Sequence, residues 1–273
     1  MLRAMGALFS NRRTVQPVGA RERLRATARP ALVYAIGDVH GCLAELRQLE
    51  RLIEADATEA IGEKWIVLLG DYIDRGPQSA QVIDHLLAPA PQGFRRFTLA
   101  GNHEQMLLDF LAAPNESAEW LAYGGVETLA SYGIDARDGG GRPAALARAL
   151  EAQMPRSHLE WLWQLPVSLE TPGFFFTHAG IRPGRTLAEQ EDGDLMWIRE
   201  PFLGAATDAG TIVVHGHTPE AEPVLRTWRV GVDTAAFATG RLTSARIDAS
   251  GEIRFLSTLP DNPLAASTAF RSD

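Results

Sequence analysis

The chain has 273 residues, a single cysteine and a formal net charge of −8. That length can bury a substantial core in one large domain or two small ones, and one cysteine excludes an internal disulfide framework. No apolar run is long enough for a membrane helix. The short apolar stretch from Met1 to Phe9, broken by Arg3, lacks the core and cleavage site of a secretory signal, so a cytoplasmic protein with no integral membrane segment is expected.

The charge is uneven. Arg3, Arg12, Arg13, Arg21, Arg23, Arg25 and Arg29 crowd the first thirty residues, opposed only by Glu22. Residues 1–30 therefore read as a flexible basic leader, with contact to an anionic membrane surface or a partner as the sharper alternative. The remaining body is acidic, which argues against a nucleic-acid partner.

Order is expected from Ala31. Leu32-Val33-Tyr34-Ala35-Ile36 is a β-prone apolar run ending at Gly37, as a buried strand would. Leu43, Leu46, Leu49, Leu52 and Ile53 follow with helical spacing. Trp65 to Leu69 is a second buried strand stopped by Gly70, Ser79 to Leu87 a helix, and Phe94 to Leu99 a third strand closed by Gly101. This repetition predicts an α/β fold with strands covered on both faces. Polar residues gather just past each strand's carboxyl end, the edge where such sheets bind ligands.

From about 105 to 165 the texture is helical, with helices expected at Gln105 to Leu111, Ala118 to Tyr132, Ala144 to Gln153 and His158 to Leu165 and a loop at Asp138 to Gly141. Strands return at Gly173 to Thr177, Thr211 to Val214 and Val224 to Val232. Arg241 to Asp248 and Glu252 to Leu256 read as a hairpin. The helical stretch is thus an insertion within a single domain spanning 31–258, and 259–273 is a loose tail.

Five short clusters each follow a predicted strand: Gly37-Asp38-Val39-His40-Gly41, Gly70-Asp71-Tyr72-Ile73-Asp74-Arg75-Gly76, Gly101-Asn102-His103-Glu104, Thr177-His178-Ala179-Gly180 and His215-Gly216-His217-Thr218. Glycine flanks permit tight turns. Asp, Asn and His without cysteine suit Mn, Fe or Zn. One such cluster is weak evidence, but their ordered recurrence is not a chance match.

On these residues the chain resembles the phosphoprotein phosphatase family within the calcineurin-like metallophosphoesterases, from about Val33 to Ile247. Trp120-Leu121-Ala122-Tyr123-Gly124-Gly125 with Thr128-Leu129, and Met196-Trp197-Ile198-Arg199-Glu200, resemble its bacterial serine/threonine protein phosphatase branch. The resemblance implies a four-layer αββα sandwich of two mixed β-sheets with a helical insertion. It also implies two divalent cations, manganese foremost and iron or zinc as alternatives. Asp38 and His40 would hold the first, Asp71 would bridge, and Asn102, His178 and His217 would complete the second. A hydroxide between the cations would attack phosphorus in line. Arg75, Arg199 and Asn102 would hold the phosphoryl group, and His103, oriented by Asp74, would protonate the leaving oxygen. Ala235 departs from the pattern, because relatives usually carry glycine there, so the turn is expected to be altered.

The implied substrate is phosphoserine or phosphothreonine in a protein, or a small phosphoester. Symmetrical hydrolysis of diadenosine tetraphosphate is the alternative, since related bacterial enzymes share the five clusters. A phosphatase-like binding module with little turnover is the reading from a different class. Blander roles compete at single positions. Asp74 and Arg75 could be a structural ion pair, His178 a packed histidine, and Arg199 a surface residue beside Glu200. His215 competes with His217 and reads as a strand residue. Arg182 reads as a loop contact, Glu104 as support behind the site, and Tyr123 as either a substrate contact or core. His85, His158, Trp120, Trp161 and Trp163 read as packing residues, and Cys42 as packing at a helix start.

Overall fold

Period-two alternation divides the central strands between two cores. In β2 (Leu32–Ile36), Val33 and Ala35 join one cluster and Leu32, Tyr34 and Ile36 the other; β3 (Lys64–Leu68) repeats this with Trp65 and Val67 against Ile66 and Leu68. In the opposing sheet, β6 (Phe174–Thr177) sends Phe174 and Phe176 to the cluster holding Val33 and Ala35, and Phe175 to the helix-side cluster. The first cluster is the layer between two sheets, and the second lies under the helices. The computed structural model describes residues 20–205 and 210–259.

One sheet has the order β11-β10-β2-β3-β4. Here β10 (Thr243–Asp248) runs antiparallel to β11 (Ile253–Ser257) and to β2, whereas β2, β3 and β4 (Phe94–Thr98) are parallel. The other has the order β1-β5-β6-β7-β9-β8, built from β1 (Arg23–Arg25), β5 (Ser168–Thr171), β6, β7 (Ile212–His215), β8 (Val224–Leu225) and β9 (Arg229–Gly231). Its pairs are parallel except β5 with β6 and β8 with β9. Two mixed sheets with helices outside them form the expected four-layer αββα sandwich.

Helices α1 (Leu43–Asp56) and α2 (Ser79–Leu87) connect the parallel strands. Between β4 and β5 run α3 (Asn102–Ala112), a 3-10 turn (Ala118–Tyr123), α4 (Gly125–Ser131), α5 (Pro143–Gln153) and α6 (Arg156–Gln164); α7 (Asp192–Trp197) and α8 (Ala236–Thr239) follow. Buried Glu50 on α1 accepts from Arg96 on β4 at 2.8 Å and pairs with His85 on α2 at 2.6 Å. His158 on α6 meets the Tyr132 hydroxyl and Asp84. Among the described residues no helix is long and apolar enough to cross a membrane.

Four local expectations need correction. Order does not wait for Ala31. Strand β1 pairs with β5, and the Arg21 guanidinium is buried, donating to the carbonyls of Leu162 and Leu165 and to Gln105. These arginines satisfy internal acceptors; residues 1–19 of the expected leader, and 260–273 of the expected tail, lie outside the described residues. The helix expected over Ala118 to Tyr132 breaks at Gly124, whose φ is 110° and where a Cβ would stand 2.5 Å from the Arg75 amide nitrogen. Val224 to Val232 folds back as β8 and β9. Strand β5, hidden between Pro166 and the Pro172-Gly173 turn, is too short to show a clear period.

Candidate active site

The clusters leave their strands through backbone that few side chains tolerate. Among the described residues, the non-glycine residues with positive φ are His40 (43°), Asp71 (53°), Asp74 (72°), Arg75 (66°), His217 (62°) and Ala235 (54°). A left-handed conformation costs about 1–2 kcal/mol where a Cβ is present. All but Ala235 are candidate site residues, so strain is concentrated where side chains must be aimed. Two glycines allow close approach: a Cβ on Gly101 would lie 2.1 Å from Asp71 Oδ1, and one on Gly216 2.1 Å from Asp38 Oδ1.

Asp71 sits at the centre. Its Oδ2 is 3.4 Å from His178 Nε2, 3.6 Å from His40 Nε2 and 3.9 Å from His103 Nε2. Ligand atoms of His40, Asp71 and His103 lie within 4.8 Å of one another, as do those of Asp71, His178 and His217. Asn102 Oδ1 completes the second group, 2.9 Å from both His178 Nε2 and His217 Nδ1. The first group takes in His103 beside His40 and Asp71. The Asp38 carboxylate accepts from the His217 amide, at 3.1 and 3.2 Å.

The donor set fits divalent cations. His178 Nδ1 donates to the Leu69 carbonyl at 3.0 Å, and His40 Nδ1 to the Ile73 carbonyl at 2.7 Å. Those bonds fix the Nδ1 protons, so each Nε2 offers a lone pair to a cation whenever its ring is neutral. His178 Nε2 faces two acceptors, Asn102 Oδ1 at 2.9 Å and His217 Nδ1 at 3.2 Å, so either a proton on Nε2 or a cation must stand between them. Such a convergence of acceptors suits a cation. On the His40 side a positive group is already there: the Arg75 guanidinium donates to His40 Nε2 at 2.9 Å and to His103 Nε2 at 3.0 Å.

Charge follows the same logic. Burial pushes His40 and His217 down to about 3, so both imidazoles are neutral near neutral pH. Burial alone would raise Asp71, but His178 and His103 hold it well below the carboxylate range. Burial would lower His178, yet the Asp71 carboxylate carries it up to about 9, so this pocket holds a positive charge, proton or metal. Burial and the neighbouring Asp233 push Asp38 well up. Glu104 is pushed up to about 7 by burial and Asp71; its carboxylate accepts from the amides of Asp71, Tyr72 and Gly101, which ties the second and third clusters together.

Beside the metal-type donors stands a second unit. His103 Nδ1 is 2.7 Å from Asp74 Oδ2, which also accepts from Trp120 Nε1 at 2.8 Å, while Thr128 Oγ1 donates to Asp74 Oδ1 at 2.6 Å. Burial would lower His103, but Asp71 and Asp74 raise it; burial raises Asp74 despite its partners. Arg199 is exposed and donates to the His217 carbonyl at 3.3 Å, which places it at the rim.

Other positions resolve as follows. His215 ends β7, buried against Phe202, with its ring near Arg229 rather than Asp71. Arg182 pairs with Asp194, its Nε 2.6 Å from Oδ2. Cys42 caps α1 and burial pushes its thiol up to about 12. Tyr123 is 54% exposed, which removes the core reading. Ala235 holds a left-handed backbone without glycine (φ 54°, ψ 54°), the conformation that the family's glycine would favour. Sequence reasoning missed Asp233, a buried carboxyl facing Asp38, and Phe237, whose ring lies 5.4 Å from that of His40 and 4.8 Å from Arg75 Cζ. It also took Trp120 only as core. The Asp233-Thr234-Ala235 departure was the available signal for the first two.

Comparison with known proteins agrees with this geometry. Residues 31–238 match the family model described as calcineurin-like phosphoesterase. The chain is 27% identical over 262 residues to bis(5'-nucleosyl)-tetraphosphatase PrpE [asymmetrical] of Bacillus thuringiensis (strain Al Hakam), covering 84% of this chain and 95% of that protein. The same figures hold for the protein of that name from Bacillus anthracis (strain CDC 684 / NRRL 3495). Among solved structures, a candidate diadenosine tetraphosphatase aligns with a TM-score of 0.63 at 19% identity, over 87% of this chain and 98% of that one. A serine/threonine phosphatase from Saccharomyces cerevisiae aligns with a TM-score of 0.51 at 14% identity, over 89% and 85%; at these identities the likeness is one of fold. A sandwich of two mixed sheets, two buried His/Asp groups sharing one carboxylate, and a family match over most of the domain lead to one conclusion: the chain belongs to the calcineurin-like phosphoesterase family and is a metal-dependent phosphoesterase.

Proposed function

We propose that the chain hydrolyses a phosphoric ester or anhydride as a member of the phosphoprotein phosphatase branch, with Asp38, His40, Asp71, Asn102, His178 and His217 holding two divalent cations, manganese foremost. The observation that carries this reading is the position of Asp71 between two groups of imidazole donors. When bound, the cation pair supplies an activated water and neutralises phosphoryl oxygens. Arg75 has two N–H groups aimed into the same space and holds a phosphoryl oxygen; Arg199 approaches from the His217 side. With Arg75 turned from His103 onto the phosphoryl oxygen, His103 Nε2 carries the proton that goes to the leaving oxygen, while Nδ1–H stays on Asp74. Asp74 fixes the ring's orientation and favours its charged form.

For the substrate we place dinucleoside tetraphosphates first, on the names of the relatives that span most of the chain. Phosphoserine or phosphothreonine in proteins is the second reading, favoured by the Trp120 to Gly125 and Met196 to Glu200 segments. Purified chain with added manganese, offered p-nitrophenyl phosphate, a phosphopeptide and diadenosine tetraphosphate, tests both. ATP and AMP as products mean asymmetrical cleavage, and two ADP mean symmetrical cleavage. If nothing is hydrolysed while manganese is bound, the chain is a binding module and the proposal fails.

A further inference from the structure

A groove of about 390 Å³ opens beside Arg75, lined by Tyr123, Gly124, Val126, Glu127 and Phe237 among others. Three features there are unusual for a surface. Tyr123 and Phe237 leave 54% and 40% of their area exposed, in a chain that buries most of its large apolar side chains. The Phe237 ring meets His40 edge-to-face and lies under the Arg75 guanidinium, so the groove runs directly into the proposed phosphoryl site. Glu127 Oε2 is shielded from solvent and has no hydrogen-bond partner among the described residues. A shielded carboxylate oxygen without a donor is costly, and rotation of the Glu127 side chain into the groove it lines removes that cost when a ligand there brings an O–H or N–H.

We propose that this groove receives a nucleoside of the substrate. The base lies against the Tyr123 and Phe237 rings, the ribose hydroxyls donate to Glu127, and the attached phosphate reaches Arg75. The proposal rests on the hydrolase reading above and names the chemistry on one side of that site. The volume falls in the range of small-ligand pockets. Flat aromatic partners suit any base, and a carboxylate accepting from vicinal hydroxyls is a recurrent way to hold ribose. A phosphopeptide fits less well, because Glu127 repels acidic flanking residues and a peptide offers no obligatory flat ring.

The test uses the full chain loaded with manganese. The ratio of kcat/KM for diadenosine tetraphosphate to that for p-nitrophenyl phosphate is expected to fall about tenfold in Tyr123→Ala and to recover in Tyr123→Phe. Glu127→Gln is expected to lower the same ratio severalfold, and that penalty should vanish with a 2′,3′-dideoxy substrate. Calorimetric binding of AMP, weakened in Tyr123→Ala while inorganic phosphate binding is retained, reads the groove without turnover. Unchanged ratios together with unchanged AMP binding overturn the proposal, as does a loss confined to phosphopeptide hydrolysis. Failure of the unaltered chain to hydrolyse p-nitrophenyl phosphate, a phosphopeptide and diadenosine tetraphosphate alike would instead sink the hydrolase reading, with AMP binding still deciding the groove.

Discussion

Asp74→Asn separates charge from shape at the proposed proton donor. The carboxylate is fully buried and accepts from His103, Trp120 and Thr128. An asparagine can keep its oxygen toward His103 and Trp120 and turn its amide toward Thr128 Oγ1. The Thr128 hydroxyl proton then rotates to Ser79 Oγ, 3.0 Å away. The fold and the His103 ring position therefore survive. What goes is the ionic part of the bond to His103, about 1.5–3 kcal/mol for a charged partner against about 1 for a neutral one. A difference of about 0.5–2 kcal/mol in the transition state corresponds to roughly a 2- to 30-fold loss in kcat, smaller than the ~10²–10⁴ expected for removing the acid outright in His103→Asn. The assay is steady-state hydrolysis of phenyl phosphate and p-nitrophenyl phosphate with manganese, alongside metal analysis. The poorer leaving group needs the proton more, so its rate must fall further. Equal losses on both substrates, or loss of manganese from the variant, would refute the assignment of His103 and Asp74 to proton delivery.

Gly216→Ala drives a methyl group into the space of Asp38 Oδ1; manganese affinity is expected to drop about 10- to 100-fold, measured by competition with a chelator dye, with little change in circular dichroism. Ala235→Gly relieves about 1–2 kcal/mol of left-handed strain and gives back about 0.4–1 kcal/mol in unfolded-chain entropy, so denaturant melts should show a small gain in stability. Glu50→Gln strips the carboxylate from buried Arg96 and from His85, a loss of about 3 kcal/mol. Burial alone would raise Glu50, but His85 and Arg96 hold it below its ordinary 4.5. Its stabilising contribution is therefore complete above that value and is lost as pH falls through the lower folded pKa; urea melts of the two proteins should differ most near neutrality and converge in acid. A difference that persists undiminished at pH 2–3 would contradict that account.

Much of this protein could be read in one dimension. Strand β2 and helix α1 fall where the apolar pattern puts them, because β-prone residues in an unbroken run and leucines at helical spacing act locally. The motif residues were equally visible, since Asp, Asn and His between glycines carry a composition few structural segments need. What the pattern could not carry were interactions across long separations. Strand β1 exists because a folded β5 offers it an edge, which no property of Arg23-Leu24-Arg25 announces. Trp120 looked like core and is core, but its indole N–H also meets Asp74, 46 positions away. Asp233 and Phe237 reach the site only after β9 aligns beside β7. Local sequence determines conformation and donor chemistry, whereas the meeting of groups depends on how two twisted sheets close on each other, a property of the whole packed core.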